Sequence, residues 1–211
     1  METEVTELCK LCEKYGYFKG AYNSGGDKAE AGFTVYYSKI FDKIKNNKIN
    51  MLEIGIFQGR SIAMWCDYFE NGNIYGIDIN LNEYNSFKNE LSTKYCAFQD
   101  NNVKNVYEFD TANASNDKIN ELPMFDIILD DGAHDNNSQY KTFVKLWKKL
   151  NKSGIYIIED SSQDTNDRKK GSENLLNIIT KNNKDILKSE IFKAKKRENK
   201  SDKYLIAIFK S

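Results

Sequence analysis

The sequence has little cysteine, and the positions of the cysteines exclude the common zinc-finger patterns. Cys9 and Cys12 form one CxxC pair, but neither a second pair nor a histidine follows at the spacing of a zinc finger. Leu8 and Leu11 flank this pair in a helix-like stretch, so packing is the simplest role for the two thiols. The low cysteine content also favours a reducing, cytoplasmic location over a disulfide framework.

Long apolar runs and a surplus of charge are missing as well. No run of about 18 apolar residues occurs, which predicts that no helix spans a membrane. Segment 1–16 is acidic and amphipathic and lacks the basic start and apolar centre of a signal peptide. The 31 basic and 31 acidic residues give a formal net charge of zero, which argues against sequence-independent binding to nucleic acid.

From residue 49 onward, short apolar runs alternate with amphipathic stretches of helical spacing. We predict strands at 49–56, 73–79, 103–109, 124–130, 154–160, 188–194 and 203–209. We predict helices at 61–69, 82–95, 114–122, 137–150 and 172–183. Because the strands are almost continuously apolar, they indicate a mostly parallel sheet with helices on both faces. The last two strands have no helix between them, which predicts an antiparallel hairpin at one edge.

The predicted fold class is therefore α/β and Rossmann-like, with a seven-stranded, mostly parallel sheet and an antiparallel C-terminal edge hairpin. Residues 1–48 have helical patterns and a glycine-rich loop, and they predict an N-terminal helical extension packed on a domain formed by residues 49–211. The sequence leaves open whether this domain forms a homo-oligomer.

A glycine turn, in the segment LEIGIFQGRS, follows the first predicted strand and opens a helix. Gly55 and Gly59 permit a sharp turn at the carboxyl end of the strand, where ligands bind in open parallel sheets. Glu53 stands in a pattern that departs from GxGxxG, and its carboxylate would repel a pyrophosphate and attract a cation. Asp78 ends the second strand, where it can bind ribose hydroxyls, and Asp110 follows the third, where it can meet an adenine amine. These acids fit S-adenosylmethionine, which has an adenosine, a positive centre and no phosphate.

A second group of acids begins in the segment ILDDGAHDNNSQYKTF. Asp130, Asp131 and the only histidine, His134, follow the fourth strand, and Glu159 and Asp160 end the fifth. If these strands are neighbours, about 4.8 Å apart, four carboxylates crowd one rim of the sheet and repel one another unless a cation lies among them. A hard cation with oxygen ligands, Mg²⁺, would meet this need, and we predict Asp131, Glu159 and Asp160 as its ligands.

The predicted metal suggests a role for the histidine. A bound cation lowers the pKa of a coordinated hydroxyl, and neutral His134, with an ordinary pKa of about 6.5, could accept that proton. The oxygen would then attack the sulfonium methyl group in line. Asp130 has three open roles: a metal-side carboxylate, a contact to the amino group of the donor, or a structural cap. In a different interpretation, Asp130 or Asp131 only caps the helix that begins near residue 135, and His134 is a surface residue.

The motifs LEIGIFQG and YGIDI resemble the first and second motifs of the class I S-adenosylmethionine-dependent methyltransferases. Within that class, FDIILDDGAHDNNSQYKTF followed by SGIYIIED resembles the Mg²⁺-dependent macrolide and sugar O-methyltransferases, the mycinamicin and tylosin type. The resemblance implies that the methyl donor is bound by Glu53, Gly55, Gly59, Asp78 and Asp110.

The same resemblance implies roles for further residues. It implies that Asp131, Glu159 and Asp160 hold Mg²⁺ and that His134 is the general base. The segment GGDKAEAGFTVYY is similar to a Thr-Asp-Lys segment that helps close the donor site in such proteins, which makes Lys28 a candidate donor contact.

The leading hypothesis is an O-methyltransferase that uses S-adenosylmethionine and Mg²⁺ on a hydroxyl of a sugar, in a natural-product glycoside or a polysaccharide. A catechol-like diol is an alternative acceptor, because adjacent oxygens can chelate the same metal. A nicotinamide-dependent oxidoreductase is disfavoured by Glu53 and the missing GxGxxG, and a non-catalytic donor-binding module by the intact acids and His134. The expected partner is a small molecule or a glycan, with neither nucleic acid nor a membrane.

Overall fold

The computed structural model describes residues 5–16, 28, 32–94, 98, 102–194 and 203–211. The strands of this part of the chain are β1 (Asn50–Ile54), β2 (Asn73–Asp78), β3 (Val103–Glu108), β4 (Phe125–Asp130), β5 (Leu150–Ile158), β6 (Ile186–Lys193) and β7 (Tyr204–Lys210). The helices are α1 (Glu7–Gly16), α2 (Phe33–Phe41), α3 (Arg60–Tyr68), α4 (Asn82–Lys94), α5 (Asn116–Asn120), α6 (Asn136–Leu146) and α7 (Arg168–Asn182). None of the described helices is long and apolar enough to cross a membrane.

The seven strands form one sheet in the order β3-β2-β1-β4-β5-β7-β6. Strands β1 to β5 run parallel, whereas β7 is antiparallel to both β5 and β6. The predicted fold class, including the antiparallel edge hairpin, is confirmed. The chain leaves β1 in one direction to β2 and β3 and returns on the other side through β4, so the topological switch point lies between β1 and β4.

Both faces of the sheet are covered by apolar side chains. One hydrophobic cluster contains Trp65 of α3 and Met51 of β1, and the other contains Phe143 of α6 and Tyr156 of β5. Strand β4 lies between the two clusters, since Ile127 belongs to the first and Ile128 to the second, and neither has exposed surface. A strand that is buried on both faces cannot alternate apolar and polar residues.

The N-terminal helices share the core of the sheet. Leu8 and Tyr15 of α1 lie in the same hydrophobic cluster as Trp65 of α3. The guanidinium of Arg60 donates a hydrogen bond of 3.0 Å to the carbonyl of Tyr15, and the hydroxyl of Tyr15 donates one of 2.7 Å to Asp67. A division of the chain into residues 1–48 and 49–211 remains a proposal about its organisation.

Strand β5 begins four residues earlier than the sequence pattern indicates. The predicted strand started at Gly154, but Leu150 already pairs with Phe125 of β4, and a register shift follows before the regular ladder from Ile127 onward. Leu150 and Phe125 are both buried, and Ser153 has a positive φ of 60°. The polar residues between Leu150 and Gly154 interrupt the apolar run, so periodicity alone could not extend the strand across them.

Candidate active site

The site begins at Gly55, at the switch point between β1 and β4. Gly55 has a φ of 81°, and its N–H donates a hydrogen bond of 2.8 Å to the carbonyl of Ile77. A Cβ atom at this position would lie 2.1 Å from the backbone oxygen of Asp131. Only glycine therefore allows β1 to turn this close to the segment that follows β4, and the turn leaves a cleft above both strands.

This cleft has a volume of about 340 Å³ and lies at the carboxyl ends of β1 to β4, a size that suits a small-molecule ligand. Four of the predicted donor-binding residues line it: Gly55, Asp78, Asp110 and Asp130. The predicted metal ligand Asp131 lines it as well, at the end towards β4. The structure therefore brings together the ends of four different strands, as the sequence pattern predicts.

Asp78 and Asp110, which we call the rim acids, are oriented by groups of the loops that surround them. Asp78 accepts the N–H of Phe57 at 2.8 Å, which joins the end of β2 to the glycine turn after β1. Asp110 accepts the N–H of Ala112 at 2.9 Å and the side-chain amide of Asn113 at 2.7 Å. Both carboxylates are thus held in place while they border the open cleft.

The cleft also has an apolar lining that sequence reasoning missed. Phe57, Ile79 and Phe109 line it between the rim acids. Phe57 is 46% exposed and Ile79 is 69% exposed, so two large apolar side chains face open space beside carboxylates. The sequence did contain a signal for this lining, because Ile79 is an apolar residue directly after the acid that ends β2. Such side chains suit the flat faces of a purine.

Three other predicted donor-binding residues are not among the described residues that line the cleft. Glu53 is fully buried on β1, behind the turn. Gly59 has a φ of 77° and a Cβ there would lie 2.5 Å from the ring of Tyr84, so its conformation and packing require glycine. Lys28 is buried as well, and its ammonium points into the second group of acids.

The second group, which we call the carboxylate cluster, consists of Asp131, Glu159 and Asp160. Strands β4 and β5 are neighbours, with Asp130 opposite Ile158, and the N–H of Glu159 donates a hydrogen bond of 2.8 Å to the carbonyl of Asp130. The predicted convergence of the acids after these two strands therefore occurs in the structure. Asp160 has a positive φ of 46°, a conformation that turns the chain sharply after the strand.

Two lysines enter the carboxylate cluster from distant parts of the chain. The ammonium of Lys28 lies 2.6 Å from Oδ2 of Asp131 and 2.5 Å from Oε2 of Glu159. The ammonium of Lys203 lies 2.5 Å from Oδ2 of Asp160. The hydroxyl of Tyr37, on α2, donates a short hydrogen bond to Oε1 of Glu159. Both oxygens of Glu159 thus have partners, and Lys203 and Tyr37 had no signal in the sequence.

The cluster has the oxygen chemistry of a site for a divalent cation. Asp131, His134 and Asp160 each offer a ligand atom, and these three atoms lie within 4.8 Å of one another. Oδ1 of Asp160 is buried and has no hydrogen-bond partner among the described residues. A hard cation accepts such carboxylate oxygens, so the residues present fit Mg²⁺.

Burial and neighbouring charges shift the pKa values in the cluster in different directions. Burial raises the pKa of Glu159, and the charge of Asp131 raises it further. Burial acts in the same direction on Asp131, but Lys28 and His134 outweigh it and lower the pKa of Asp131 below its ordinary value. Burial raises the pKa of Asp160 despite the opposing charge of Lys203. The fully charged cluster is therefore costly with the two lysines alone, and a further cation would favour it.

Two further buried acids, Glu53 and Asp130, lie near the cluster, and Asp130 also lines the cleft. Burial raises the pKa of Glu53 to about 7, although Lys28 opposes this shift from 3.5 Å. Burial also raises the pKa of Asp130 to about 7. Oδ1 of Asp130 accepts the N–H of Gly132 at 3.2 Å, and the hydroxyl of Tyr156 interacts with the carboxylate and opposes the rise of its pKa. These oxygens suit a cationic ligand group, which would favour their charged forms.

His134 lies at the partly exposed side of the carboxylate cluster, and it is not the N-terminal cap of helix α6. Its Nε2 is 3.0 Å from Oδ1 of Asp131, and its side chain is 32% exposed. Helix α6 is capped by Asp135, which accepts the N–H of Ser138 at 2.9 Å, so neither Asp130 nor Asp131 is the cap. Burial opposes the charge of the imidazole, but Asp131 and Asp160 outweigh it and raise the pKa of His134 above its ordinary value.

Known proteins resemble the chain in sequence. The family model described as a methyltransferase domain matches residues 52–161, just over half of the chain. Mycinamicin VI 2''-O-methyltransferase from Micromonospora griseorubida is 30% identical over 136 residues, which are 61% of this chain and 31% of that protein. Demethylmacrocin O-methyltransferase from Streptomyces fradiae is 30% identical over 135 residues, with the same two shares. The chain thus spans about a third of the length of these curated relatives.

Solved structures resemble the chain in fold. The MycE methyltransferase of the mycinamycin pathway, in complex with Mg, S-adenosylhomocysteine (SAH) and mycinamycin VI, aligns with a TM-score of 0.66 at 20% identity and covers 97% of this chain and 53% of its own. The fibrillarin pre-rRNA processing protein of Methanococcus jannaschii aligns with a TM-score of 0.59 at 17% identity. This alignment covers 79% of the present chain and 68% of the fibrillarin chain. Because these two proteins differ in their partners, the fold alone does not define an acceptor. The match over residues 52–161 nevertheless shows the family, and the chain belongs to the methyltransferase-domain family.

Proposed function

We propose that the chain transfers the methyl group of S-adenosylmethionine to a hydroxyl of a sugar, with the assistance of Mg²⁺. The observation that supports this most directly is the adjacency of two sites at the strand ends. A cleft of about 340 Å³ with acids and apolar side chains meets, at Asp131, a cluster of carboxylates and one imidazole. The related mycinamicin and demethylmacrocin enzymes are named O-methyltransferases, which supports the same reaction class.

The cleft is the proposed donor site. The rim acids Asp78 and Asp110 would accept hydrogen bonds from the ribose and the adenine amine, and Phe57 and Ile79 would contact the purine face. Asp130 lines the cleft and would offer a buried carboxylate oxygen to the amino group of the methionine part. The other three predicted donor-binding residues, Glu53, Gly59 and Lys28, do not line the cleft. They would influence donor binding from behind the turn, through the shape of the turn and through charge.

The carboxylate cluster is the proposed metal site, with Asp131, Glu159 and Asp160 as ligands. A divalent cation bound there would lower the pKa of an acceptor hydroxyl and stabilise the alkoxide. Because Lys28 and Tyr37 engage both oxygens of Glu159, this residue can serve as a ligand only after one of these partners moves.

His134 is the proposed general base. In its neutral form, which a cation bound to Asp131 and Asp160 would favour by offsetting their charges, the imidazole would accept the proton of the acceptor hydroxyl, while the oxygen forms a bond to the methyl carbon and the bond from that carbon to sulfur breaks. The sulfonium becomes a neutral thioether, and the proton remains on the imidazole next to Asp131. The carboxylate 3.0 Å away stabilises the imidazolium that results.

A transfer assay with methyl-labelled S-adenosylmethionine tests the proposal. We expect labelled product from glycoside acceptors in the presence of Mg²⁺ and a loss of that product when a chelator is added. A faster reaction with catechol than with glycosides would identify a vicinal diol as the acceptor and leave the proposed mechanism unchanged. Binding of NAD without binding of SAH would contradict the proposal. The expected acceptor is a small molecule or glycan, and the expected setting is the cytoplasm.

A further inference from the structure

The ammonium of Lys28 occupies a central position among acids that belong to different strands. It lies 2.6 Å from Oδ2 of Asp131, 2.5 Å from Oε2 of Glu159 and 3.5 Å from Oε1 of Glu53. Its side chain is 7% exposed. A lysine is buried this deeply only where carboxylates compensate its charge, and here three of them do so.

The oxygens that hold Lys28 are also oxygens that the proposed metal site requires. Asp131 directs its second oxygen, Oδ1, towards His134, and Glu159 directs its second oxygen, Oε1, towards Tyr37. The two oxygens that face each other across the cluster, Oδ2 of Asp131 and Oε2 of Glu159, are both in contact with Lys28. A cation that binds these two residues would have to use the same oxygens or replace their other partners.

We propose that Lys28 is the resident counter-ion of Asp131 and Glu159 and that a divalent cation displaces its ammonium when it binds these two residues. This inference rests on the proposed metal site. Two cations that share the same oxygens repel each other strongly in a buried site, so the ammonium and the metal exclude each other. Lys28 lies outside the residues that match the family model, 52–161, so the matched segment does not contain this counter-ion.

Metal titration of the metal-free full chain tests the inference. Mn²⁺, whose binding can be followed by electron paramagnetic resonance, serves as the probe. Lys28→Met removes the competing charge and leaves the carboxylates in place, so we expect Mn²⁺ to bind at least tenfold more tightly than to the wild type. Lys28→Arg retains the charge and should bind Mn²⁺ no more tightly than the wild type.

A matched control separates this effect from the loss of a lysine as such. Lys14→Met breaks the pair of Lys14 and Asp67, which joins α1 to α3 at the surface, and it should leave the affinity for Mn²⁺ unchanged. Equal or weaker binding by Lys28→Met, with clear binding by the wild type, would overturn the role of Lys28 and leave the metal site intact. Absence of binding to both proteins would overturn the proposed metal site together with the inference.

Chemical labelling of the wild type gives an answer even if Lys28→Met does not fold. Acetylation with acetic anhydride, read by mass spectrometry, reports how accessible each lysine is. Saturating Mg²⁺ should increase the acetylation of Lys28, because the metal expels its ammonium from the cluster, and should leave Lys14 unchanged. Acetylation of Lys28 that stays constant or falls with Mg²⁺ would show that lysine and metal bind together, against the inference.

Discussion

The rim acids and the carboxylate cluster lie side by side at the strand ends, yet they are compensated in different ways. The rim acids Asp78 and Asp110 accept hydrogen bonds mostly from backbone N–H groups of nearby loops, and both border the open cleft. The cluster depends on ammonium groups from distant segments, since Lys28 is 103 residues from Asp131 in the chain. Backbone N–H groups of the surrounding loops therefore suffice to orient a half-buried acid, whereas a group of buried acids requires cations that only the complete fold supplies.

The largest effect expected from this difference is on stability. Lys28→Met should lower the free energy of unfolding of the metal-free protein by about 3–5 kcal/mol, because it leaves buried carboxylates without their partner. Lys14→Met, which breaks an exposed pair, should cost no more than about 1 kcal/mol. Urea denaturation of both variants measures the two values. Equal losses of unfolding free energy in the two variants would mean that the buried cluster depends on its lysine no more than the exposed pair does.

The next effect concerns catalysis. His134→Ala should lower kcat by roughly 100-fold or more, because the acceptor hydroxyl loses its base. Binding of SAH to the cleft should stay intact, since His134 is not among the described residues that line it. Methyl-transfer kinetics and calorimetric titration with SAH measure the two properties. Near-full activity of the variant would show that the base was assigned wrongly.

A smaller effect is expected at the rim. Asp78→Asn should weaken the binding of SAH about tenfold, because an amide is a poorer acceptor for ribose hydroxyls than a carboxylate. Glu173→Gln, on the surface of α7, serves as the control and should not change it. The affinity for Mn²⁺ should be the same in all three proteins. A loss of Mn²⁺ binding in Asp78→Asn would contradict the separation of rim and cluster.

The smallest expected effect is a shift in the pKa of His134. In the metal-free protein the pKa of His134 lies above its ordinary value, and Asp131→Asn should lower it, because the variant removes the largest favourable interaction of the imidazolium. Because this pKa is higher in the folded protein than in the unfolded chain, protonation of His134 stabilises the fold. This stabilisation is fully present below the unfolded pKa of about 6.5 and is lost as the pH rises through the pKa of the folded protein. His134 is the only histidine, so proton NMR follows its titration without assignment. A pKa that Asp131→Asn does not lower would contradict the pairing.

Most of the fold could be predicted from the sequence because each strand is locally marked. The apolar run MFDIILD and the acids that end it predict both the strand β4 and the edge of the sheet to which Asp130 and Asp131 belong. The same logic predicts that Glu159 and Asp160 join them, and the parallel pairing of β4 and β5 confirms this. Among the strands, the least accurate boundary was the start of β5, where polar residues interrupt the apolar pattern.

The compensation of the cluster could not be predicted, because it depends on contacts that no local pattern encodes. Lys203 reaches Asp160 only because β7 inserts next to β5 in antiparallel orientation, with Ile158 opposite Ile206. Tyr37 reaches Glu159 from α2, 122 residues away. The sequence identified Lys28 as a residue of the site, but its proposed contact was the donor, whereas the structure places its ammonium against three carboxylates.

A crystal structure of the full chain with SAH and Mg²⁺ tests the central claim most directly. We expect the adenosine between the rim acids, the homocysteine end next to Gly55 and Asp130, and Mg²⁺ on Asp131, Glu159 and Asp160 within reach of the vacant methyl position. SAH outside the cleft, or Mg²⁺ bound away from these three carboxylates at saturating concentration, would contradict the account of a donor site and a metal site that meet at Asp131.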